Sequence, residues 1–303
     1  MEHRRASGDA TSIVACYREY EPCPALRGRV RTFFSFAPCA EPVLHDRRVI
    51  FEVRFAAGDR FRAPLFADGN ASIVFDMGAA ADAKGVWSEN GATSVGHVIG
   101  PMSRVTQDAR EGLPAMVGAY LQPAQLPVLA GVPSSEISDR ILGVEELWGS
   151  EVTELSERIA SLGERGRIDL LEDMLLRQMS ESRAPESAVD VAGLASYVVR
   201  HRGRVSVDVL ARLAGVSRQH LTRVFRERVG VSPKLYCRLA RFQSALAHAS
   251  AGADWARTAC ELGYADQSQM IREFREFSSL TPQRLVTERW FHPFIERARF
   301  QSR

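Results

Sequence analysis

The chain has 303 residues, of which 45% are hydrophobic, and a formal net charge of +2 at pH 7. A chain of this length is expected to form roughly two domains, each large enough to bury a core. The sequence has no apolar run long enough to span a bilayer and no hydrophobic signal core near its start, so we predict a cytoplasmic protein without a membrane segment.

The small net charge hides two parts of opposite sign. Residues 1–185 carry 20 Lys and Arg against 26 Asp and Glu, a net of −6, whereas residues 186–303 carry 19 against 11, a net of +8. A basic segment attracts phosphate groups whatever the sequence of the nucleic acid. We therefore expect a nucleic acid to contact the C-terminal part of the chain and not the N-terminal part.

The N-terminal part contains short runs of β-forming residues separated by Gly and Pro. These runs predict strands at Val30–Phe36, Val49–Phe55, Ala71–Asp76, Gly85–Trp87, His97–Ile99 and Ala115–Leu121. Closely spaced strands with Gly and Pro turns are typical of a β-sandwich or β-barrel.

A small ligand of a β-barrel usually binds at its mouth. The polar or amphipathic residues near the predicted strands that would line this mouth are His45, Asp76, Trp87 and His97. The residue types favour the plainer interpretation, in which Trp87 packs in the core and the histidines lie on the surface.

Two amphipathic helices are predicted after the strands, from Val144 to about Leu162 and from Ile168 to about Met179. Their apolar stripes either cover the β-domain or pair with a second copy of the chain, and both alternatives stay open. Polar residues and a proline at 181–187 predict a linker. The resulting domain prediction is a sensor domain at 1–180 (β-rich 12–130, helical extension 134–180), a helical domain at 188–290 and a tail at 291–303.

Between Val205 and Gly230 the sequence has the pattern of a helix-turn-helix. Apolar residues at helical spacing predict a first helix with one buried face, and Gly215 and Ser217 are suited to end it and to cap the next. The apolar residues are Val209, Leu210, Leu213 and Ala214 in the first helix and Leu221, Val224 and Phe225 in the second. The residues predicted to face a major groove are Ser217, Arg218, Gln219, Thr222, Arg223 and Arg226, with Lys234 just beyond.

The same pattern recurs between Trp255 and Phe277. Gly263 interrupts the first helix, Asp266 is placed to cap the second, and Met270, Ile271, Phe274 and Phe277 form the predicted buried stripe. The predicted DNA-facing residues are Gln267, Ser268, Gln269, Arg272 and Arg275. A solvated helix face explains any single arginine equally well, but two capped turns with basic outer faces favour DNA.

One long helix, from Leu235 to about Ser250, is predicted to join the two units. Sixteen helical residues span roughly 24 Å. A rod of that length can hold two recognition helices in successive major grooves, which lie roughly 34 Å apart. A single chain is therefore expected to be able to read a bipartite site.

The C-terminal part resembles the DNA-binding domain of the AraC/XylS family of transcriptional regulators. The matching segments are residues 210–225, Gly-Val-Ser-Pro at 230–233, 241–246, 259–275 and Leu-Thr-Pro at 280–282. The sequence departs from the family at Trp255, where an aliphatic residue is usual, and at Ser279, where glycine is usual.

The resemblance extends to the overall organisation. The sensor half of such regulators is often a cupin-like β-barrel followed by helices, and the segments at 75–78, 96–101 and 120–125 resemble a subgroup whose N-terminal domain has no generally assigned ligand. The resemblance implies an α+β multidomain protein, in which a cupin-like β-barrel domain with a helical extension precedes an all-α domain of two helix-turn-helix units joined by a long helix. It implies double-stranded promoter DNA and RNA polymerase as partners, a small-molecule effector, and a homodimer as one arrangement. Activation and repression stay equally open.

The cysteines suggest a second, less favoured function. Cys16, Cys23 and Cys39 lie in the N-terminal part, and a regulator that senses thiol oxidation or a metal through them is the alternative. Without a Cys-x-x-Cys pair we expect no metal site, and we predict that all five cysteines are free thiols. No common catalytic motif occurs, so we expect neither an enzyme nor a bound cofactor.

Overall fold

The computed structural model describes residues 13–39, 49–55, 60–61, 66–77, 96–106, 110–111, 115–149, 151–182, 187–249 and 254–287. Its strands are β1 (Ile13–Tyr20), β2 (Val30–Cys39), β3 (Val49–Phe55), β4 (Arg60–Phe61), β5 (Ser72–Asp76), β6 (Gly96–Ile99), β7 (Arg110–Glu111), β8 (Met116–Leu121) and β9 (Ile141–Gly143). Seven of these strands form one antiparallel sheet in the order β3-β1-β2-β8-β5-β6-β9, and β4 pairs with β7.

Five helices follow the last long strand and belong to the N-terminal part. They are α1 (Leu126–Ala130), α2 (Ser134–Ile137), α3 (Val144–Trp148), α4 (Glu151–Ser161) and α5 (Glu164–Glu181). The helix predicted from Val144 to Leu162 is two helices, because Gly149 adopts a φ of +75° at the end of α3.

The apolar stripes of α4 and α5 pack on the sheet. Ile159, Leu171 and Leu175 are fully buried in the same cluster as Phe33 and Ile73 of the sheet. Of the two alternatives for these stripes, the structure therefore supports the one in which they cover the β-domain of their own chain.

The C-terminal part is helical, with α6 (Val191–Arg200), α7 (Val207–Ala214), α8 (Arg218–Val229), α9 (Pro233–Ala249), α10 (Trp255–Glu261), α11 (Gln267–Ser278) and α12 (Pro282–Thr287). The predicted order of an antiparallel β-domain, a helical extension and a helical domain with two helix-turn-helix units is thus confirmed. The core of the helical part centres on the rings of Phe225, Phe242, Phe274 and Phe277, which are all fully buried.

This core also contains residues from the N-terminal part. Phe66, Ala67 and Ala124 are buried among the C-terminal helices, and the ring of Phe66 lies 6.5 Å from that of Phe242 in an edge-to-face arrangement. The two parts of the chain therefore share a packed interface, which sequence patterns did not predict.

Some sequence predictions fall outside the described residues. These are the strand at Gly85–Trp87, the tail at 291–303, and four residues, 183–186, of the predicted linker. The sequence analysis missed β1 and β9 of the main sheet and the two short strands β4 and β7.

The prediction that all five cysteines are free was wrong for Cys16. This residue is buried on β1 and forms a disulfide, whereas Cys23, Cys237 and Cys260 are free. Strand pairing brings β1 and β2 side by side, so residues distant in sequence become neighbours. Within the part of the chain that the structure describes, no cluster of potential metal ligands is found, and no helix has the length and apolar character needed to cross a membrane.

Candidate nucleic-acid interface

The first helix-turn-helix consists of α7 and α8, and its turn is built by two capping residues. Gly215 ends α7 with a φ of +67°, a conformation that glycine adopts without strain. The hydroxyl of Ser217 then accepts a hydrogen bond from the His220 amide, 3.2 Å away, and starts α8. Ser217 is thus a capping residue in this structure.

The inner face of the first unit differs from the prediction at one position. Leu221, Val224 and Phe225 of α8 are buried as expected, but Leu213 of α7 is 56% exposed. Leu210 and Ala211 form the buried face of α7 instead. The buried stripe of α7 therefore includes Ala211 and leaves Leu213 in solvent.

The outer face of α8 carries the polar residues that the sequence predicted there. Arg218, Gln219, Arg223 and Arg226 are exposed, Thr222 is half-buried, and Lys234 is exposed at the start of α9. Arg218 forms an ion pair with Asp208 of α7, and Arg223 lies 3.3 Å from the Glu227 carboxylate. Exposed ion pairs of this kind are worth little, so both guanidinium groups can exchange a carboxylate for a phosphate or a base.

His220 belongs to the same surface and was missed by the sequence analysis. It is exposed in the first turn of α8, beside Gln219. The helical periodicity that placed Gln219 and Arg223 outward was the signal that could have found it.

The second helix-turn-helix consists of α10 and α11. Gly263 has a φ of +72° in the turn, and the Asp266 carboxylate accepts a hydrogen bond from the Gln269 amide at 2.6 Å to start α11. Met270, Phe274 and Phe277 are fully buried, and Ile271 is half-buried. The predicted turn and buried stripe are confirmed.

Four of the five residues predicted to face DNA on α11 are exposed, namely Gln267, Ser268, Arg272 and Arg275. Gln269 is different, because it is half-buried and its side-chain oxygen accepts a hydrogen bond from the Ala265 amide at 2.8 Å. Asp266 thus caps the first turn, and Gln269 accepts from the amide of Ala265, the residue before the cap. Gln269 therefore stabilises the turn in this structure.

Ion pairs from α9 fix the orientation of α11. The Arg238 guanidinium donates to Glu273 at 2.9 Å and to Glu276 at 3.1 Å, and it lies 4.8 Å from the centre of the Phe277 ring. Burial alone would lower the pKa of Arg238, but its hydrogen bonds to Glu276 and Glu273 raise the pKa above the usual value. The long helix is thus tied to the second recognition helix by charged groups.

The candidate ligand residues of the N-terminal part are only partly visible. His97 is buried on β6, and Asp76 is half-buried at the end of the adjacent strand β5. His45 and Trp87 lie outside the described residues. The expectation that the histidines lie on the surface was wrong for His97, because β6 is covered by its neighbours in the sheet and by α3.

Comparison with known families gives two matches. Residues 210–288 match the family model described as a helix-turn-helix domain, and residues 18–143 match a domain of unknown function, DUF6597. The first match spans both helix-turn-helix units and the long helix between them. The second spans most of the β-domain. A comparison with curated proteins gives no match.

Among solved structures, the chain is similar at low level to ToxT from Vibrio cholerae. A crystal structure of wild-type ToxT bound to an unsaturated fatty acid aligns over 94% of this chain and 97% of that chain, with 11% identity and a TM-score of 0.43. A second ToxT structure aligns over 75% of this chain and 97% of that chain, with 11% identity and a TM-score of 0.44.

Proposed function

We propose that the protein is a sequence-specific transcriptional regulator of the AraC type, which reads promoter DNA with both of its recognition helices. The match of residues 210–288 to a helix-turn-helix family model supports this proposal. The observation that carries this proposal is the pair of recognition helices, α8 and α11, each capped at its start and each presenting exposed arginines on its outer face. Arginine binds guanine edges bidentately, and glutamine binds adenine.

The residues proposed to contact DNA are those predicted from the sequence. Some are proposed to contact bases, others to contact phosphates, and two to stabilise the recognition helices. Arg223 and Arg272 occupy equivalent outer positions in the two units and are proposed to read bases. Lys234 and Arg226, further along the same side, are proposed to contact phosphates. Ser217 and Gln269 are proposed to contribute indirectly, by stabilising the start of each recognition helix.

We further propose that the N-terminal domain controls this DNA binding. An effector that binds one arrangement of the two domains more tightly than another would shift the population between them, and only such differential binding has an effect. The β-domain, with Asp76 and His97, is the proposed place for a small molecule. Contact with RNA polymerase and formation of a homodimer belong to the same proposal.

The first experiment is selection of bound fragments from a genomic library at moderate salt, followed by sequencing. The proposal predicts a bipartite motif whose halves lie about one helical turn apart. Binding should weaken steeply with salt, because each phosphate contact releases a counterion. If the bound fragments share no sequence motif at any salt concentration, sequence-specific binding is contradicted.

Substitution of the outer arginines tests the assigned faces. We expect Arg223→Ala and Arg272→Ala each to weaken binding to the selected site by about 1–3 kcal/mol and to relax preference at different base positions. Arg165→Ala on α5, which removes an exposed arginine paired with Asp169, serves as control and should leave binding unchanged. Unchanged affinity in both recognition-helix variants would refute the assignment.

One observation favours the alternative of a thiol-responsive regulator. Cys16 is oxidised to a disulfide in a buried position on β1. If that bond is the sensor, reductant should change the affinity for the selected DNA site in the wild type but not in Cys16→Ser. An equal response of both proteins to reductant would eliminate the alternative.

A further inference from the structure

We propose that the N-terminal domain sets the relative position of the two recognition helices by holding the C-terminal end of each. This inference rests on the proposed function, since it concerns how the same two helices reach DNA together. The residues involved are Ser134 of α2 and Ser138 directly after it, which contact α8, and the segment 66–69, here called the insert, which contacts α9 and α11.

The end of α8 is held by two serine hydroxyls. Ser134 donates to the Arg228 carbonyl at 2.7 Å. The Ser138 hydroxyl lies 2.8 Å from the Gly230 carbonyl and 2.9 Å from the Ser134 carbonyl, so its single proton is shared between them. The last carbonyls of a helix have no partner within the helix, and α2 therefore supplies what the end of α8 lacks.

The end of α11 is held by the insert. The Ala67 amide donates to the Phe277 carbonyl at 3.0 Å, in the last turn of α11. The Gln243 amide group of α9 donates to the Asp68 carbonyl, also at 3.0 Å. The insert therefore bonds to the second recognition helix and to the long helix at the same time.

Both contacts lie at the ends of the recognition helices, away from their outer faces. Arg218, Arg223 and Arg226 on α8 and Arg272 and Arg275 on α11 stay exposed. The described residues of the N-terminal domain thus leave these side chains open to solvent. The domain fixes the distance and angle between two helices whose outer faces remain open.

Two glycines at helix ends give a matched test. Gly230 ends α8 with a φ of +92°, and a Cβ there would lie 2.5 Å from the Ser138 hydroxyl and 2.8 Å from Cγ of Pro101, so Gly230→Ala forces the N-terminal domain away. Gly131 ends α1 with a φ of +73°, and a Cβ there would meet nothing within 4 Å. Gly131→Ala therefore carries the same kind of backbone strain without disturbing the contact.

A second variant tests the insert in the same way, with the same control. At Gly69, with a φ of +66°, a Cβ would lie 3.0 Å from Cδ1 of Leu239 and 3.2 Å from the Tyr236 ring. Gly69→Ala and its control Gly131→Ala keep the test informative should Gly230→Ala fail to fold.

The first readout is amide hydrogen exchange in the full-length protein, which needs no DNA. We expect roughly tenfold faster exchange at residues 134–140 in Gly230→Ala, and at Ala67 in Gly69→Ala, relative to the control variant. Equal exchange in a variant and its control would overturn the docking contact.

The second readout is spacing discrimination, the ratio of affinities for the selected bipartite site and for the same site with one inserted base pair. The insertion rotates one half-site by about 34°, so wild type and Gly131→Ala should discriminate strongly. Gly230→Ala and Gly69→Ala should lose at least about fivefold of this discrimination and keep wild-type affinity for a single half-site.

The outcomes separate the two proposals. A bipartite site with unchanged discrimination in both disruptive variants overturns the positioning role and leaves the proposed function intact. Failure to select any bipartite site overturns the proposed function, and the positioning role with it.

Discussion

The two recognition helices have the same pattern in sequence but are held differently in the structure. Neutral hydroxyls of the N-terminal domain bond to the end of α8. In contrast, charged groups of the long helix bind along the side of α11, and among the described residues of the insert one backbone amide donates to its last turn. A repeated motif therefore does not imply a repeated environment, and the end of α8 is the one that the N-terminal domain contacts through side chains.

The ends of the two helices differ as well. Both enter the left-handed region, but Gly230 does so without strain at the end of α8, whereas Ser279 has a φ of +61° at the end of α11. Trp255, the other departure from the family pattern, packs edge-to-face on Phe274 with ring centres 6.1 Å apart. The second unit thus gains an aromatic contact at its start and is strained at its end.

The largest expected effect on the free energy of unfolding comes from removing the ion pairs between Arg238 and α11. Arg238→Ala would leave the Glu273 side chain, which is only 6% exposed, without its partner, and we expect a loss of about 2 kcal/mol in the free energy of unfolding. This value is below that for fully buried pairs, because the Arg238 side chain is 28% exposed. Chemical denaturation measures it.

Arg257→Ala is the matched control for this prediction. Arg257 pairs with Glu261 four residues along at 2.8 Å, and both side chains are well exposed. Such a pair contributes about 0.3–0.5 kcal/mol. Equal losses in the two variants would mean that α11 is not fixed by Arg238.

The stability of the contact between the insert and helices α9 and α11 should depend on pH, because the insert contains Asp68. The residue Asp68 is half-buried, and burial of its carboxyl group raises its pKa to about 7, partly offset by hydrogen bonds from Asn70 and by the nearby Arg31. The buried Tyr236 of α9 is the other titratable group beside it. The α2 contact with α8 consists of serine hydroxyls and backbone carbonyls, so it should not share this dependence.

The sign follows from the raised pKa. The folded protein keeps a proton that the unfolded chain releases near pH 4, so this group's contribution to stability falls as the pH rises from about 4 to about 7 and then levels off. We expect a change on the order of 1–3 kcal/mol, and Asp68→Asn should remove it while keeping the hydrogen bond from the Asn70 amide. The melting temperatures of wild type and variant are measured from pH 5 to pH 8. The same pH dependence in both proteins would contradict this account.

The smallest expected effect is relief of strain at the end of α11. Ser279→Gly should raise the free energy of unfolding by about 0.5–1 kcal/mol, since glycine adopts the left-handed conformation without a steric penalty. Ser180→Gly, the same replacement in the exposed last turns of α5, should instead lower it, because glycine is a poor helix former. If both variants are destabilised, Ser279 is not strained.

The sequence predicted local features well and long-range ones poorly. Gly215, Ser217, Gly263 and Asp266 marked both turns, because caps depend on residues within one or two turns of helix. The disulfide of Cys16, the burial of His97 and the packing of the insert depend on residues far apart in the chain, which periodicity does not report. Leu213 was misplaced because apolar spacing in a helix of eight residues did not show that Ala211, and not Leu213, lies on the buried face.

The presence of Phe66 and Ala67 in the core of the C-terminal helices bears on modularity. A helix-turn-helix domain is usually regarded as a part that can be cut out or exchanged between regulators. Here, an excised segment of residues 187–287 would expose an apolar patch around Phe242, which Phe66 covers in the full chain. In a chimera, the new N-terminal domain would have to supply side chains that cover the same patch. A sequence change in the insert, although it belongs to the N-terminal part, is therefore also a change in the core of the C-terminal helices.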